Sequence, residues 1–412
     1  MRRLLLLSFA ACVLPVSAAY SAQTPSGQTA PVARVSSQER LPLDQLVAEH
    51  DWPVLERVLN SNTGPQTAYY RGLLLNRTGQ YEQSLQLLEP LIPELASGID
   101  RVHEKLARLA LAADYFRMFR YRQAAEEYAA LDKCCAASLS EDERDEAELP
   151  SKILPLLESA PAQTLELSES FSVPSRGNAL GVHEIEVWVD GHPSRWLFDP
   201  AANFTLLSRS QAKRIGLKLA GGNGLTVRSL TGEPVRVQAT LIPQLKFGAA
   251  FFRNVPAAIF EDSDLFDKAH QYQVEGVLAQ PLLAALGAVT VSDDGHLNIL
   301  RQAPLTGGAP LFIDGQRLLV SVDVKDAEQL YEIDPRRARS GLSPRYFPAQ
   351  TAESLTLDFG GTAATFHEIP VLAPPEGERF YGTLGGDALD QLASYTFDFR
   401  SMRFLVREHR EQ

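Results

Sequence analysis

The sequence predicts a multidomain fold: an α-helical repeat domain followed by a mostly-β domain of two similar lobes. Three observations carry that reading. Residues 41–160 place apolar residues at helical spacing and repeat themselves at an interval of 40. From about residue 172 the pattern changes to apolar and polar alternation broken by turn signals. This second half then contains itself twice.

The chain opens MRRLLLLSFAACVLPVSAAYSAQ. Arg2 and Arg3 give a basic start, and Leu4 to Val13 an apolar run too short to span a bilayer. Val16-Ser17-Ala18 fits a small-residue cleavage site. Residues 1–22 are therefore expected to be an export signal, and the mature protein periplasmic or secreted. Cys12 offers a lipoprotein alternative, but the residues before it lack the usual Leu and the apolar run continues past it. Residues 23–40, polar and small, read as a flexible leader. No later segment is expected to be a transmembrane span. The formal net charge of -12 argues against nucleic acid or an anionic membrane as partner. With 45% hydrophobic residues, the chain has the material for packed cores.

In the helical region, TAYYRGLLLNRTGQYEQSLQLLEPLIPEL reads as a helix, a turn at Thr78-Gly79 and a second helix. KLARLALAADYFRMFRYRQAAEEYAAL repeats the theme, with Tyr121 in the place of Tyr81 and Ala124 in that of Ser84. Residues 43–50 and 52–60 make an earlier, degenerate pair. The pattern resembles tetratricopeptide repeats, with Gly72, Gly79, Tyr81 and Pro90 near their expected places. It departs from them in lacking the second turn Gly and in its longer period. The resemblance implies a partner-binding groove or a helical cap docked on the next domain. The acidic run from Ser140 to Lys152 reads as a solvated helix face, and Ser159 to Asn178 as a linker. Cys134 and Cys135 are adjacent and cannot staple distant parts of a fold. A vicinal disulfide, an intermolecular bridge and a pair without a role all stay open. No Cys/His cluster has metal-ligand spacing, so no structural zinc is expected.

In the β half, HEIEVWVDGHPSRWLFD reads as a hairpin around Asp190-Gly191. Asp199-Pro200 recurs as Asp334-Pro335 and Leu207-Ser208 as Leu342-Ser343, both 135 positions on. The stretch from Gly276, GVLAQPLLAALGAVTVSDDGHLNIL, recurs 106 positions on as GTLGGDALDQLASYTFDFRSMRFLV from Gly382. The second copy is thus 29 residues shorter in between. The additional piece reads as a hairpin turning at Thr231-Gly232-Glu233, with Ser229, Leu230, Thr231 and Gly232 at its tip. A long hairpin in one copy alone suits a flap over a cleft. The lobes span residues 172–302 and 308–408.

Both copies resemble the retropepsin-like and pepsin-like aspartic peptidases, over more than half the chain. The first family motif, two hydrophobic residues and then Asp, is matched by Leu197-Phe198-Asp199 and by Glu332-Ile333-Asp334. The second is matched by Val277-Leu278-Ala279 and by Thr383-Leu384-Gly385. Ser208 with Gln211, and Ser343-Pro344, are helix-start signals after the two turns. The resemblance implies a bilobal, retropepsin-like double-ψ fold with Asp199 facing Asp334 as the catalytic pair. In that chemistry two close carboxylates share a proton, one activates a water and the other polarises the peptide carbonyl.

The supporting residues depart from the family. Pro200 and Pro335 replace a Thr and have neither hydroxyl nor N–H. Ala201 and Arg336 stand where the family has Gly, and Arg336 is placed to pair with Asp334. Arg337 and Arg339 add charge, and the flap segment VRSLTGEP lacks a Tyr. The expected function is recognition of an extended polypeptide, substrate or envelope partner, under the flap, with hydrolysis lost or weakened. The alternative is an active aspartic endopeptidase using Asp199 and Asp334. GGNG at Gly221 to Gly224 is no phosphate cradle, and Ser229 and Ser292 lack a nucleophile elbow. No cofactor is expected.

Overall fold

The computed structural model describes residues 43–62, 64, 67–98, 100–228, 233–301, 305–324, 327–347, 351–372 and 380–409. The expected export signal, the leader and the flap-tip residues Ser229, Leu230, Thr231 and Gly232 lie outside these.

The helical region is built from hairpins. Ala68–Arg77 packs on Tyr81–Leu88, and Arg101–Arg117 on Tyr121–Cys135. Gly72 is required where it stands, because a Cβ there would lie 2.5 Å from Leu88. Ser84 Oγ donates to the Gly72 carbonyl at 2.9 Å, tying the first pair together. The turn between those helices uses Gly79 at φ +71°. Forty residues on, Phe119 adopts φ +60° without being a glycine, so the second turn keeps the geometry that the sequence had seemed to lose. Cys134 and Cys135 are joined as a vicinal disulfide.

The duplication is reproduced in the strand register around the two aspartates. In the first lobe the hairpin His183–Val189 and His192–Asp199 turns through Asp190 and Gly191, both left-handed. Its second strand runs parallel to Gly276–Ala279, with Trp196 opposite Gly276 and Phe198 opposite Leu278. In the second lobe Ala327–Ile333 runs parallel to Gly382–Leu384, with Tyr331 opposite Gly382 and Ile333 opposite Leu384. The returning strands match as well: Gly276 pairs with Leu207, and Gly382 with Leu342. A Cβ on Gly276 would lie 2.5 Å from the Trp196 ring. Gly276→Ala is expected to cost about 1–3 kcal/mol by forcing that ring off its seat, read by urea denaturation.

A shared antiparallel sheet joins the lobes. Its order is Phe171–Gly177, His296–Leu300, Ala288–Ser292, Ser394–Asp398, Arg403–Arg407 and Ala309–Asp314. Equivalent residues meet at its centre, where Thr290 pairs with Thr396 and their hydroxyls lie 2.7 Å apart. The two lobes are thus related by an approximate two-fold within one chain.

Four expectations need correction. The linker is not unstructured: Thr164–Glu166 pairs with the first lobe, and Phe171–Gly177 belongs to the shared sheet. The second lobe has its own long hairpin, Thr351–Asp358 with Ala363–Pro370. Among its described residues it lacks a counterpart of Leu219–Arg228, the strand that leads into the expected flap tip. Among the described residues, Ser343-Pro344 starts a single turn and no helix, with the Tyr346 and Phe347 N–H groups donating to the Ser343 carbonyl. Ser208 does cap a helix, Arg209–Ile215, by accepting from the Gln211 N–H. The acidic run is a solvated face only in part, with Glu141 and Asp142 exposed and Glu146 buried. It forms the helix Glu141–Ile153, opened by a Ser140/Glu143 capping box, and lies against both lobes.

Candidate active site

Alternation along the two equivalent strands decides which side chains share a face. In the first lobe Trp196 and Phe198 point into the lobe core, so Leu197 and Asp199 share the other face. Parallel pairing sets Val277 beside Leu197 and Ala279 beside Asp199. In the second lobe Tyr331 and Ile333 enter the core, leaving Glu332 and Asp334 on the opposite face, with Thr383 beside Glu332.

Each aspartate caps its own turn. Asp199 Oδ1 accepts from the Ala201 and Ala202 N–H groups at 3.0 and 2.9 Å. Asp334 Oδ1 accepts from the Arg336 N–H at 3.1 Å. These bonds satisfy the backbone that Pro200 and Pro335 cannot help to tie, since proline donates nothing.

The structure brings Asp199 and Asp334 to one centre, and Arg336 lies between them. Its Nε donates to Asp334 Oδ1 at 2.8 Å and its Nη2 to Oδ2 at 3.2 Å, a two-pronged bond. Its Nη1 lies 3.5 Å from Asp199 Oδ2. Both aspartates are buried, at 5% and 4% exposure, so little water screens the three charges. Burial pushes the Asp199 carboxyl up from its ordinary range; Arg336 opposes that shift and Asp334 adds to it. Burial by itself would lower the Arg336 guanidinium, but Asp199 and Asp334 outweigh it and hold the charge firmly in place. The guanidinium thus lies between the two carboxylates and pairs with both.

Glu332 is the residue that sequence reasoning overlooked. It is buried, accepts from Thr383 Oγ1 at 2.9 Å, and its charge also acts on Arg336. Its signal was visible: Glu332 puts a charge where the first lobe has Leu197, breaking the hydrophobic pattern before Asp334. The proposed flap residues Ser229 to Gly232 fall outside the described residues. The strands leading to them do pair, with Val227 opposite Val235 and Arg228 opposite Pro234.

The aspartate face is covered by the helical region. Leu197, Val277 and Phe204 pack into a cluster with Phe116, Leu149 and Ile153, and the Phe116 and Phe204 rings stack at 5.2 Å. On the second lobe, Phe312, Leu319 and Phe380 pack with Trp52, Leu55 and Leu73. Asp314, at the turn of the second lobe, is bound by His50 Nδ1 at 2.5 Å, Trp52 Nε1 at 3.0 Å and Arg77 Nε at 3.2 Å.

A family model described as Aspartyl protease matches residues 185–282, the part of the first lobe that carries Asp199. Among solved structures, the chain is similar to a retropepsin-like aspartic protease from Rickettsia conorii. Identity is 15%, the TM-score is 0.22, and the alignment covers 34% of this chain and 94% of that one. No curated protein matches the chain. A helical N-terminal region is thus followed here by a mostly-β, aspartic-protease-like domain.

Proposed function

We propose that this chain is an exported binding protein whose aspartic-protease-like domain holds polypeptide without cleaving it. The observation that carries the reading is Arg336, which ion-pairs with both Asp334 and Asp199. Hydrolysis by an aspartate pair needs a proton shared between carboxylates and a water held by both. A cation bound to the pair removes the reason to share a proton and takes the water's place. On the first lobe the face around the pair is apolar, built from Leu197, Val277 and Phe204, which suits side chains of a bound polypeptide. The helical region, read as tetratricopeptide-like, contributes a second contact surface. Export rests on the residues from Met1 to Gln23 and is checked by sequencing the N-terminus of the protein recovered from cells.

The test is a mixed peptide library incubated with the protein from pH 3 to pH 8 and then analysed by mass spectrometry. Retention of peptides at their full length is the expected result. Asp199→Asn and Asp334→Asn are expected to give the same product profile as the wild type. Cleavage that both variants abolish would make the protein an active aspartic endopeptidase.

A further inference from the structure

The helix Glu141–Ile153 lies across the division between the lobes. On the first lobe, Asn203 Nδ2 donates to the Glu146 carbonyl at 3.1 Å, four residues past Asp199. Arg228, the last described residue before the flap tip, donates its N–H to Glu148 at 3.1 Å and its guanidinium to Asp145 at 3.0 Å. On the second lobe, Gln316 Nε2 donates to the Asp145 carbonyl at 2.9 Å and Arg317 to Asp142 at 2.7 Å. Glu146 itself is buried against the turn at Gly315. One helix therefore touches the aspartate turn, the flap strand and the opposing lobe.

The apolar side of the same helix completes the cover. Leu149 and Ile153 are buried, at 2% and 0% exposure, in the cluster that also holds Leu197, Val277 and Ala279. Burying two such side chains stabilises more than partly exposed ion pairs do, because solvent screens the pairs and not the apolar contacts. Apolar contacts thus hold the helix down, and the acidic pairs with Arg228 and Arg317 set its position across both lobes.

We propose that Glu141–Ile153 is a gate: the chain's own acidic helix occupies the aspartate face, and polypeptide reaches that face only when the helix leaves. The inference rests on the polypeptide-holding reading for what enters, but not for the gate itself. The surface is then specific for an acidic amphipathic helix in its closed state, through Arg228 on one lobe and Arg317 on the other.

The test uses the full chain with Arg228→Glu and Arg317→Glu together, which replaces two attractions by two repulsions and leaves Leu149 and Ile153 unchanged. Amide hydrogen exchange in residues 141–153 is expected to speed at least ten-fold. Labelled casein, an unfolded polypeptide, is expected to bind at least ten-fold tighter than to the wild type. Adding Asp142→Arg and Asp145→Arg is expected to restore slow exchange and weak casein binding. Unchanged exchange in the double variant overturns the gate, as does faster exchange that the reciprocal pair fails to reverse. Faster, reversible exchange with no casein binding upholds the gate and removes the polypeptide-holding function instead.

Discussion

Replacing Arg336 by Met is expected to destabilise the protein by about 3–5 kcal/mol at pH 7, the cost of leaving buried charges without their counter-ion. Asp199 and Asp334 are both nearly sealed from solvent, and Arg336 is the cation that binds both. Without it two like charges face each other in a poorly screened site. The deficit is expected to shrink toward pH 4. Asp199 already sits above its ordinary range through burial, so the folded state takes up a proton more readily than the unfolded chain. Stability therefore rises as pH falls through that raised value. Arg336→Lys is expected to recover only part of the loss, because an ammonium cannot make the two-pronged bond to Asp334. Urea denaturation midpoints at the two pH values check all three statements. A midpoint for the Met variant equal to the wild type's at pH 7 would show that Arg336 is not the counter-ion of the pair.

Asp314→Ala is expected to loosen the helical region from the second lobe, at a cost of about 3–5 kcal/mol for breaking a buried ion pair. Asp314 is 7% exposed and holds His50, Trp52 and Arg77, all from the helical region. The same cluster gives the docking a pH window. Asp314 raises the His50 pKa above its ordinary 6.5, so this contribution is complete below pH 6.5 and is lost as pH rises through the raised value. Burial would raise the Asp314 carboxyl, but His50 and Arg77 outweigh it and hold it well below its ordinary 3.8. On the acid side the contribution is therefore lost as pH falls below 3.8 toward that depressed value. Protection of residues 43–61, taken as the intrinsic amide exchange rate at each pH divided by the observed rate, is expected to be greatest between these limits, and to lose that pH dependence in the Asp314→Ala variant.

Much of this was legible because local rules and the global fold agree. Asp190-Gly191 announced a hairpin and Ser208 a helix start, and both act through short-range bonds that sequence neighbours supply. The duplication was legible because equal spacings place Asp199 and Asp334, and Gly276 and Gly382, in equivalent registers. The charge on Arg336 was enough to foresee its bond to Asp334, two residues away. That it reaches Asp199 as well depends on how the lobes meet. Docking of the helical region on the β half was one of two open readings, but the contacts that make the cover were not legible. Asp142, Asp145 and Glu148 look solvated in the sequence because their partners, Arg317 and Arg228, come from segments more than 70 residues away. Ser343-Pro344 misled as well, since a good local start signal gives only a single turn among the described residues.

The most direct test of the account is a long incubation of the wild type with unfolded casein at pH 4, beside Asp199→Asn, with new N-termini counted by mass spectrometry. The account predicts equal, background counts for both proteins, because Arg336 keeps the aspartates from activating water. New N-termini that appear with the wild type and vanish with Asp199→Asn would contradict it.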